Sequence, residues 1–495
     1  MKKLLIILLC LPMIGFGQNV YIPDVNFKAC LVGNSDINTN GDAEIQVSEA
    51  NVFNGTIDCT SLIIYDLTGV EAFTALTHLD CKNNQLTSLD VSQNTALTDL
   101  DCFDNQITIL DVSQNTALRH LNCQDNQLTI LDVSQNTALN SLYCGANQLT
   151  SLDLSQNSLV GALYCSNNQL TTIDVSNNTA LTDLYCSDNQ LTTIDVSNNT
   201  ALEYLGCSNN QLTTIDVSGC TALEYLGCHS NQLTTIDVSN NTALTDLHCP
   251  NNQLTTIDVS GCTTLTYLGC FMNQLTTIDV SGCTALESLS CFDNELTSLD
   301  VSNTALTYLD FSNAIWTNAF AATIQWINFS NNNNLEWVNA SSLNLNSTTT
   351  LGFANNANLK TLDISYNQFE CFDISNIPSL ENFDCSNNLL EQLTTRNGNF
   401  NNMYVNATNN NLTCVEVDNV GVATNDWDFD SFTTFSTSCN YTNPCNTTSA
   451  IQDYTTNKEL LKLTDLLGRE TKGKKNTPLF YIYDDGTVEK RITID

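Results

Sequence analysis

The sequence predicts a mostly β protein built as a solenoid. It should have one face of parallel strands, a short helical cap at its N-terminal end and a small β module at its C-terminal end. Three observations predict this. Cysteines stand at Cys81, Cys102, Cys123, Cys144, Cys165, Cys186, Cys207, Cys228, Cys249, Cys270 and Cys291, each 21 residues after the last. An asparagine keeps the same step from Asn84 to Asn294, and an aspartate from Asp90 to Asp300. A fixed period of this length means one structural unit stacked on copies of itself. Within each unit the apolar residues alternate, and Thr, Asn, Val and Ile dominate, which favours extended chain over helix. Finally, composition changes abruptly at both ends of the periodic stretch.

The unit that starts at Leu181 reads Leu-Thr-Asp-Leu-Tyr-Cys-Ser-Asp-Asn-Gln-Leu-Thr-Thr-Ile-Asp-Val-Ser-Asn-Asn-Thr-Ala. Its framework L-x-x-L-x-C-x-x-N-x-L resembles the leucine-rich repeat, with Cys in place of the usual third Leu. Leu184 and Cys186 should point inward and Tyr185 outward, as on a short strand. Asn189 falls where the backbone must turn, and a buried Asn can satisfy corner peptides of its own and the adjacent coil. The second half, residues 191–201, echoes the first, so a shorter extended or 3₁₀ segment is expected on the opposite face. Each coil adds about 4.8 Å of height, so eleven coils run roughly 50 Å. No coil can bury its own leucines, and stability must come from stacking.

Residues 1–17 have the basic start, short apolar run and small residues of a secretory signal peptide, too short to span a bilayer. Its removal would leave an exported, soluble chain with no integral membrane segment. Residues 18–75 form the expected N-terminal cap, beginning with a short helix over 22–33. The stretch Asn38-Thr-Asn40-Gly-Asp42-Ala-Glu44-Ile-Gln-Val-Ser-Glu49 follows it. It resembles a degenerate EF-hand loop, which implies calcium ligands at Asn38, Asn40, Asp42, Glu44 and Glu49. It departs from that pattern by Asn at the first position and Ala43 at the sixth, and the alternative is a polar capping loop without an ion.

Regular repeats occupy 76–311. From 312 to 445 the spacing varies, with Phe311 and Phe329 expected in the strand position that Cys holds elsewhere. Trp316, Trp326 and Trp337 suggest coils of altered width, and a closing unit is expected near 412–439. Export favours disulfides, but inward cysteines in parallel register point the same way and cannot pair along the column. They read as small buried hydrophobes. Bonds are expected near the ends, at Cys30–Cys59 and Cys414–Cys439, with Cys262–Cys283 as a further possibility.

Residues 446–495 gather Lys458, Lys462, Arg469, Lys472, Lys474, Lys475, Lys490 and Arg491, so they form a separate module. A strand over 460–465 and a hairpin around Asp485-Gly486 are expected. The words Asp465-Leu-Leu-Gly-Arg-Glu and Phe480-Tyr-Ile-Tyr-Asp-Asp-Gly-Thr-Val-Glu-Lys-Arg resemble the end of the C-terminal sorting domain read by the type IX secretion system of Gram-negative bacteria. The resemblance implies export across the outer membrane with that machinery as a partner, leaving the cargo secreted or attached to the outer surface.

With 53 acidic residues against 15 Lys and Arg, a formal charge of −38 disfavours nucleic acid and anionic membranes as partners. The aspartates from Asp90 to Asp300 repel one another at one-coil spacing, so hydroxyls and amides, or divalent cations, must offset them. Outward strand positions hold Asp99, Asp101, Phe103, Tyr143, Tyr164, Tyr185, Tyr204, Tyr225 and Tyr267. Tyr143, Tyr164 and Tyr185 share one position, and Tyr204, Tyr225 and Tyr267 shift two places earlier. Such a stripe suits a protein or glycan ligand, although cross-strand tyrosines can also serve only the sheet. The four histidines, His78, His120, His229 and His248, lie in no catalytic or metal-spaced motif. The expectation is a non-enzymatic protein that binds a macromolecule in adhesion at the cell surface, with a structural spacer or a calcium-dependent adhesin as alternatives.

Overall fold

A computed structural model describes residues 18–441, apart from 303, 314–323, 325, 330–331, 348 and 354–355, and the backbone of three tail strands. The signal-peptide segment, Trp316, the stretch from Thr442 and the Asp465 motif lie outside the described residues. The protein is a mostly β solenoid whose strand face is one 17-stranded parallel sheet. It runs from Thr56–Asp58 to Tyr404–Asn406 in three-residue strands. Register follows the repeat without slippage, as in Leu142↔Leu163 and Leu163↔Leu184. In the regular coils one inward leucine per strand is followed by one inward cysteine, and Leu163, Cys165, Leu184 and Cys186 have no exposed surface. Cys123, Cys144 and Cys165 form the expected interior row. The Cys144 N–H donates to the Tyr164 carbonyl of the next coil and the Cys165 N–H to Tyr185, both at 2.8 Å.

Two asparagine columns turn the chain. At the first corner, Asn168 Nδ2 donates to the carbonyls of Cys144 and Cys165, while its Oδ1 accepts from the Leu149 N–H at 2.9 Å. One side chain thus ties two coils. The residue before this Asn holds left-handed backbone in coil after coil: Asn83 (φ 56°), Asp104 (51°), Asn167 (57°), Asn209 (52°), Asn251 (53°). Asn and Asp tolerate that region best among residues with a Cβ, which is why they recur there. At the second corner, Asn178 and Asn199 each donate to two carbonyls of the preceding coil, Leu154 and Asn157 for the first and Val175 and Asn178 for the second.

The opposite face is extended, with short parallel pairs such as Leu89–Asp90 with Leu110–Asp111 and Thr235–Asp237 with Thr256–Asp258. Here each aspartate of the periodic column, from Asp90 to Asp300, accepts the N–H of the serine two residues on, at 2.9 Å in Asp90–Ser92 and Asp111–Ser113. The column's carboxylates therefore cap turns, and the serine N–H and hydroxyl hold Asp111 and Asp132 below the usual carboxylate range.

At the N-terminal end the helix is Val25–Val32, shorter than expected because Asp24 accepts the N–H groups of Asn26 and Phe27 and so fixes its start. Phe27 and Leu31 seal the first coil. At the far end the helix Val420–Asp426, capped by Asn419, closes the stack. The Cys414–Cys439 disulfide is present there, and Cys371 is also disulfide-bonded. Three other expectations are corrected. Cys30 and Cys59 are free thiols, each donating to a backbone carbonyl, Asp58 and Asp80 respectively. Cys262 and Cys283 are also free: each takes the second-corner Asn's place and donates to the same class of carbonyl, Val238 and Val259. Phe311 does occupy the cysteine position, but Phe329 does not. Its strand, Trp326–Asn328, pairs with Ser298–Asp300 on the opposite face, which puts Phe329 in the Val301 column, 5.2 Å from Phe353. The irregular coil takes its strand-face segment from Trp337–Asn339, and Ala340 fills the cysteine place.

In the tail, Leu460–Thr464, Pro478–Tyr483 and Val488–Ile492 form an antiparallel three-stranded sheet. The expected hairpin has the register Ile482↔Val488.

Candidate binding face

Three columns of outward side chains cover the strand face, and their chemistry changes along the stack. At its N-terminal end the first outward position holds His78, Asp99 and His120 on adjacent strands. His78 Nε2 lies 3.0 Å from Asp99 Oδ2 and His120 Nε2 lies 4.0 Å from Asp99 Oδ1. Their Nδ1 atoms meet the hydroxyls of Thr77 at 2.8 Å and Ser141 at 2.6 Å. The sequence carried the signal for this trio, since positions 78, 99 and 120 are one repeat apart, but histidine motifs are usually sought within one element.

Beside the trio, Lys82 Nζ lies 2.6 Å from Asp80 and 3.9 Å from Asp101. Asp101 accepts the Phe103 N–H at 3.0 Å. Burial pushes its carboxyl above the usual value, and the neighbouring Asp80 charge adds to this. A depression of about 360 Å³ opens over His78, Asp80, Asp99, Asp101, His120 and Tyr143. The predicted residues Asp99, Asp101 and Phe103 thus belong together, with two histidines and a lysine that were not singled out.

The middle of the face is aromatic. Tyr143, Tyr164 and Tyr185 stack as a ladder, with ring centroids 4.7 and 4.6 Å apart and interplanar angles of 25° and 22°. Burial, then the nearby Asp183, raises the Tyr164 hydroxyl to about 12. Tyr204, Tyr225 and Tyr267 do shift two places earlier, and Tyr204 pairs in register with Tyr225. Glycine makes that shift possible. A Cβ on Gly227 would meet the Tyr225 hydroxyl at 2.8 Å, and one on Gly269 would meet that of Tyr267 at 2.9 Å. Each of these rings therefore folds over its own strand into the column that Tyr185 occupies. His248 fills the place between them, 5.3 Å from Tyr225 and 4.4 Å from Tyr267, and burial holds its imidazole below the ordinary value. Tyr204 departs from the pattern: Tyr185 covers Gly206, and Tyr204 instead donates to Glu224 at 3.1 Å. Beyond this, Phe271 stacks on Phe292 at 4.3 Å and Tyr308 on Trp337 at 4.4 Å.

The N-terminal loop residues also converge, through hydrogen bonds. Glu49 Oε1 accepts from Thr39 N and Oγ1, both at 2.8 Å, and from Asn40 N, while its Oε2 accepts from Gln46 N at 3.0 Å. Asn38 binds the carbonyls of Val32 and Asp42, and Asp42 accepts the Glu44 N–H. Asn40 bridges to Asp42 and Gln46, and Glu44 pairs with Lys28 at 2.7 Å. Among the described residues, no group of three or more His, Cys, Asp or Glu is placed to hold a metal ion. None of the described helices is long and apolar enough to cross a membrane. The interior thiols are chemically quiet, for burial raises Cys102, Cys144 and Cys186 to about 12.

Known proteins agree with this geometry. The family model "Leucine Rich repeats (2 copies)" matches residues 200–241 and "Leucine Rich Repeat" matches 358–380. A model named "LVIVD repeat" matches 122–142, 163–183 and 184–206, each close to one coil. No curated protein sequence matches. Among solved structures, the functional domain of InlJ from Listeria monocytogenes, described as including a cysteine ladder, is 32% identical. The match covers 76% of this chain and 82% of that one, with a TM-score of 0.57. An internalin, InlF, from the same organism is 24% identical over 66% of this chain and 99% of its own, at a TM-score of 0.55. The plant peptide hormone receptor RGFR1, in complex with RGF2, shares the fold at 19% identity, over 73% of this chain and 74% of its own, with a TM-score of 0.51. The coil geometry, the buried cysteine column and the match to InlJ together place this chain in the leucine-rich-repeat family.

Proposed function

We propose that this protein is a non-enzymatic scaffold, exported to or beyond the cell surface, that binds a protein ligand across its strand face. The observation that carries the reading is the aromatic column. The third strand position takes Asp101, Asn122, Ser290 and Asn339 in other coils of the same fold, so the template does not demand tyrosine there. Three tyrosines in succession, continued by the folded-over rings of Tyr225 and Tyr267, supply broad and rigid contact area with hydroxyl tips. Because Tyr143, Tyr164 and Tyr185 stack on one another, their ring faces are largely occupied and their edges and hydroxyls point outward. That favours a polypeptide partner over a glycan, since a sugar ring stacks on an open aromatic face. RGFR1, which shares only the fold, is seen in complex with RGF2.

Export rests on the signal-like segment at 1–17 and on the sorting-domain resemblance of 446–495, whose three backbone strands suit a small β module. Deleting residues 446–495 should leave the protein inside the outer membrane of its host. For the ligand, the test is a protein and glycan array probed with the chain and with a Tyr164→Ala, Tyr185→Ala, Tyr204→Ala variant. Protein capture that the variant loses supports the reading. Capture unchanged by the variant would instead make the chain a spacer whose tyrosines serve the sheet.

A further inference from the structure

At the third strand position carboxylates stand at both ends of the face and none between them, while Asp183 and Asp246 stand singly at the first position among the tyrosines. At the N-terminal end stand Asp58, Asp80, Asp99 and Asp101, with Lys82 as the cation among them, already committed to Asp80 at 2.6 Å. At the C-terminal end Asp310, Asp363 and Asp384 occupy the same outward column, interrupted by Asn339. The cation beside them, Lys360, is paired with Glu336 at 2.8 Å. The tyrosine ladder and the Tyr225–His248–Tyr267 sandwich lie between. At about 4.8 Å per strand the acidic ends are roughly 50 Å apart along the sheet.

These carboxylates differ from those on the opposite face. Both sets accept the N–H two residues on, but the Asp90-to-Asp300 column stands in open solvent. Asp101, Asp310 and Asp363 are half-buried on the strand face, and each has a further carboxylate near it: Asp80, Asp293 and Asp384 respectively. Partial burial of like charges is unfavourable in the free protein and is relieved when a cation arrives.

We infer that the partner is a cationic polypeptide lying along the solenoid axis, with basic side chains against Asp80–Asp101 and Asp310–Asp384 and apolar side chains across the tyrosine edges. This rests on the strand face being the binding surface and goes further by fixing the partner's charge and its direction across the strands. A segment of roughly 15 extended residues spans the two ends.

The repeat itself supplies fold-neutral variants for the test. At the third strand position, sister coils already carry Asn122, Asn339 and Asn406, and Asn339 accepts the Ser341 N–H just as Asp363 accepts that of Ser365. A variant with Asp101→Asn, Asp363→Asn and Asp384→Asn therefore keeps the coil. At the left-handed corner, sister coils carry Asn83, Asn167 and Asn209, so Asp104→Asn, Asp125→Asn and Asp188→Asn remove the same charge elsewhere. The probe is an oligo-arginine of roughly 16 residues, titrated by fluorescence anisotropy beside an oligo-glutamine of equal length. The strand-face variant should bind at least about tenfold more weakly and the corner variant within about twofold of the original. Equal losses would mean only bulk attraction to an acidic protein and overturn the inference, as would no preference for oligo-arginine over oligo-glutamine. Should the array ligand depend on Tyr164 and Tyr185 but bind the strand-face variant normally, the binding face stands and the cationic partner falls.

Discussion

Tyr164 lies against Tyr185 with ring centroids 4.6 Å apart and planes 22° from parallel. Such pairs add about 0.5–1.5 kcal/mol beyond area burial, and Tyr164 makes two of them. Tyr164→Ala should lower stability by about 1–3 kcal/mol, read as a shift in the urea midpoint, while Tyr164→Phe should stay within about 0.5 kcal/mol. Ligand capture is expected to weaken in both, because the hydroxyl edge is what a partner meets.

Asn168 and Asn199 belong to different corners, and their substitution should differ. Asn168→Ala strands the Leu149 N–H in the interior and removes one of two donors from each of the Cys144 and Cys165 carbonyls, which keep Asn147 and Asn189, a loss of about 2–3 kcal/mol. Asn199 donates two bonds, but its Oδ1 is buried with no hydrogen-bond partner. Asn199→Cys, the exchange already present at Cys220, Cys262 and Cys283, keeps a donor and removes that oxygen, so it should cost under about 1 kcal/mol. Parallel urea melts of the two variants check the contrast.

Met272 holds φ 54° at a corner where most sister coils use Asn or Asp, with Ala146 and Ser230 as the other departures among the regular repeats. Met272→Asn should stabilise the protein by about 1 kcal/mol, since the backbone strain of this region is lowest for Gly, Asn and Asp. A lower thermal midpoint for the variant would contradict the assignment of strain.

Acid should act in two stages. Asp101, Asp310 and Asp363 have raised carboxyls, chiefly through burial, so they cost stability at neutral pH and the cost is relieved as pH falls through their folded values. Asp111 and Asp132 are lowered by serine hydrogen bonds. Their stabilisation is complete above the unfolded value of about 3.9 and is lost as pH falls through the folded one. His248, lowered by burial, opposes the first stage below about 6.5. Urea midpoints from pH 7 to 3 should therefore peak on the acid side of neutrality and drop below about 4.

Glu49 already accepts four hydrogen bonds that close the N-terminal loop. Calorimetry with millimolar calcium should show no heat above the buffer control, and Glu49→Ala should destabilise the cap by about 1–3 kcal/mol. Calcium heat that Glu49→Ala abolishes would instead establish the ion-binding loop.

The period, the inward Leu and Cys, the corner Asn and the tyrosine ladder were legible from residue spacing alone. Stacking by one coil turns each sequence column directly into a spatial one, so Tyr143, Tyr164 and Tyr185 could be placed side by side before any coordinates. The Cys414–Cys439 bond was legible for the converse reason: it lies past the last regular coil, where the parallel constraint on cysteines ends. Phe329 was misassigned because coils of unequal length break the one-to-one link between spacing and face.

What the chain's sequence determined by itself is the coil, because its local turn chemistry and alternating apolar pattern repeat and each copy meets a near-identical neighbour. Tertiary structure decided how side chains from different coils share space. Tyr225 leans over Gly227 to reach His248, His78 and His120 flank Asp99, and Cys30 and Cys59 donate to separate carbonyls and do not join. Rotamers and hydrogen-bond partners answer to neighbours one coil away, and those neighbours exist only once the stack has formed.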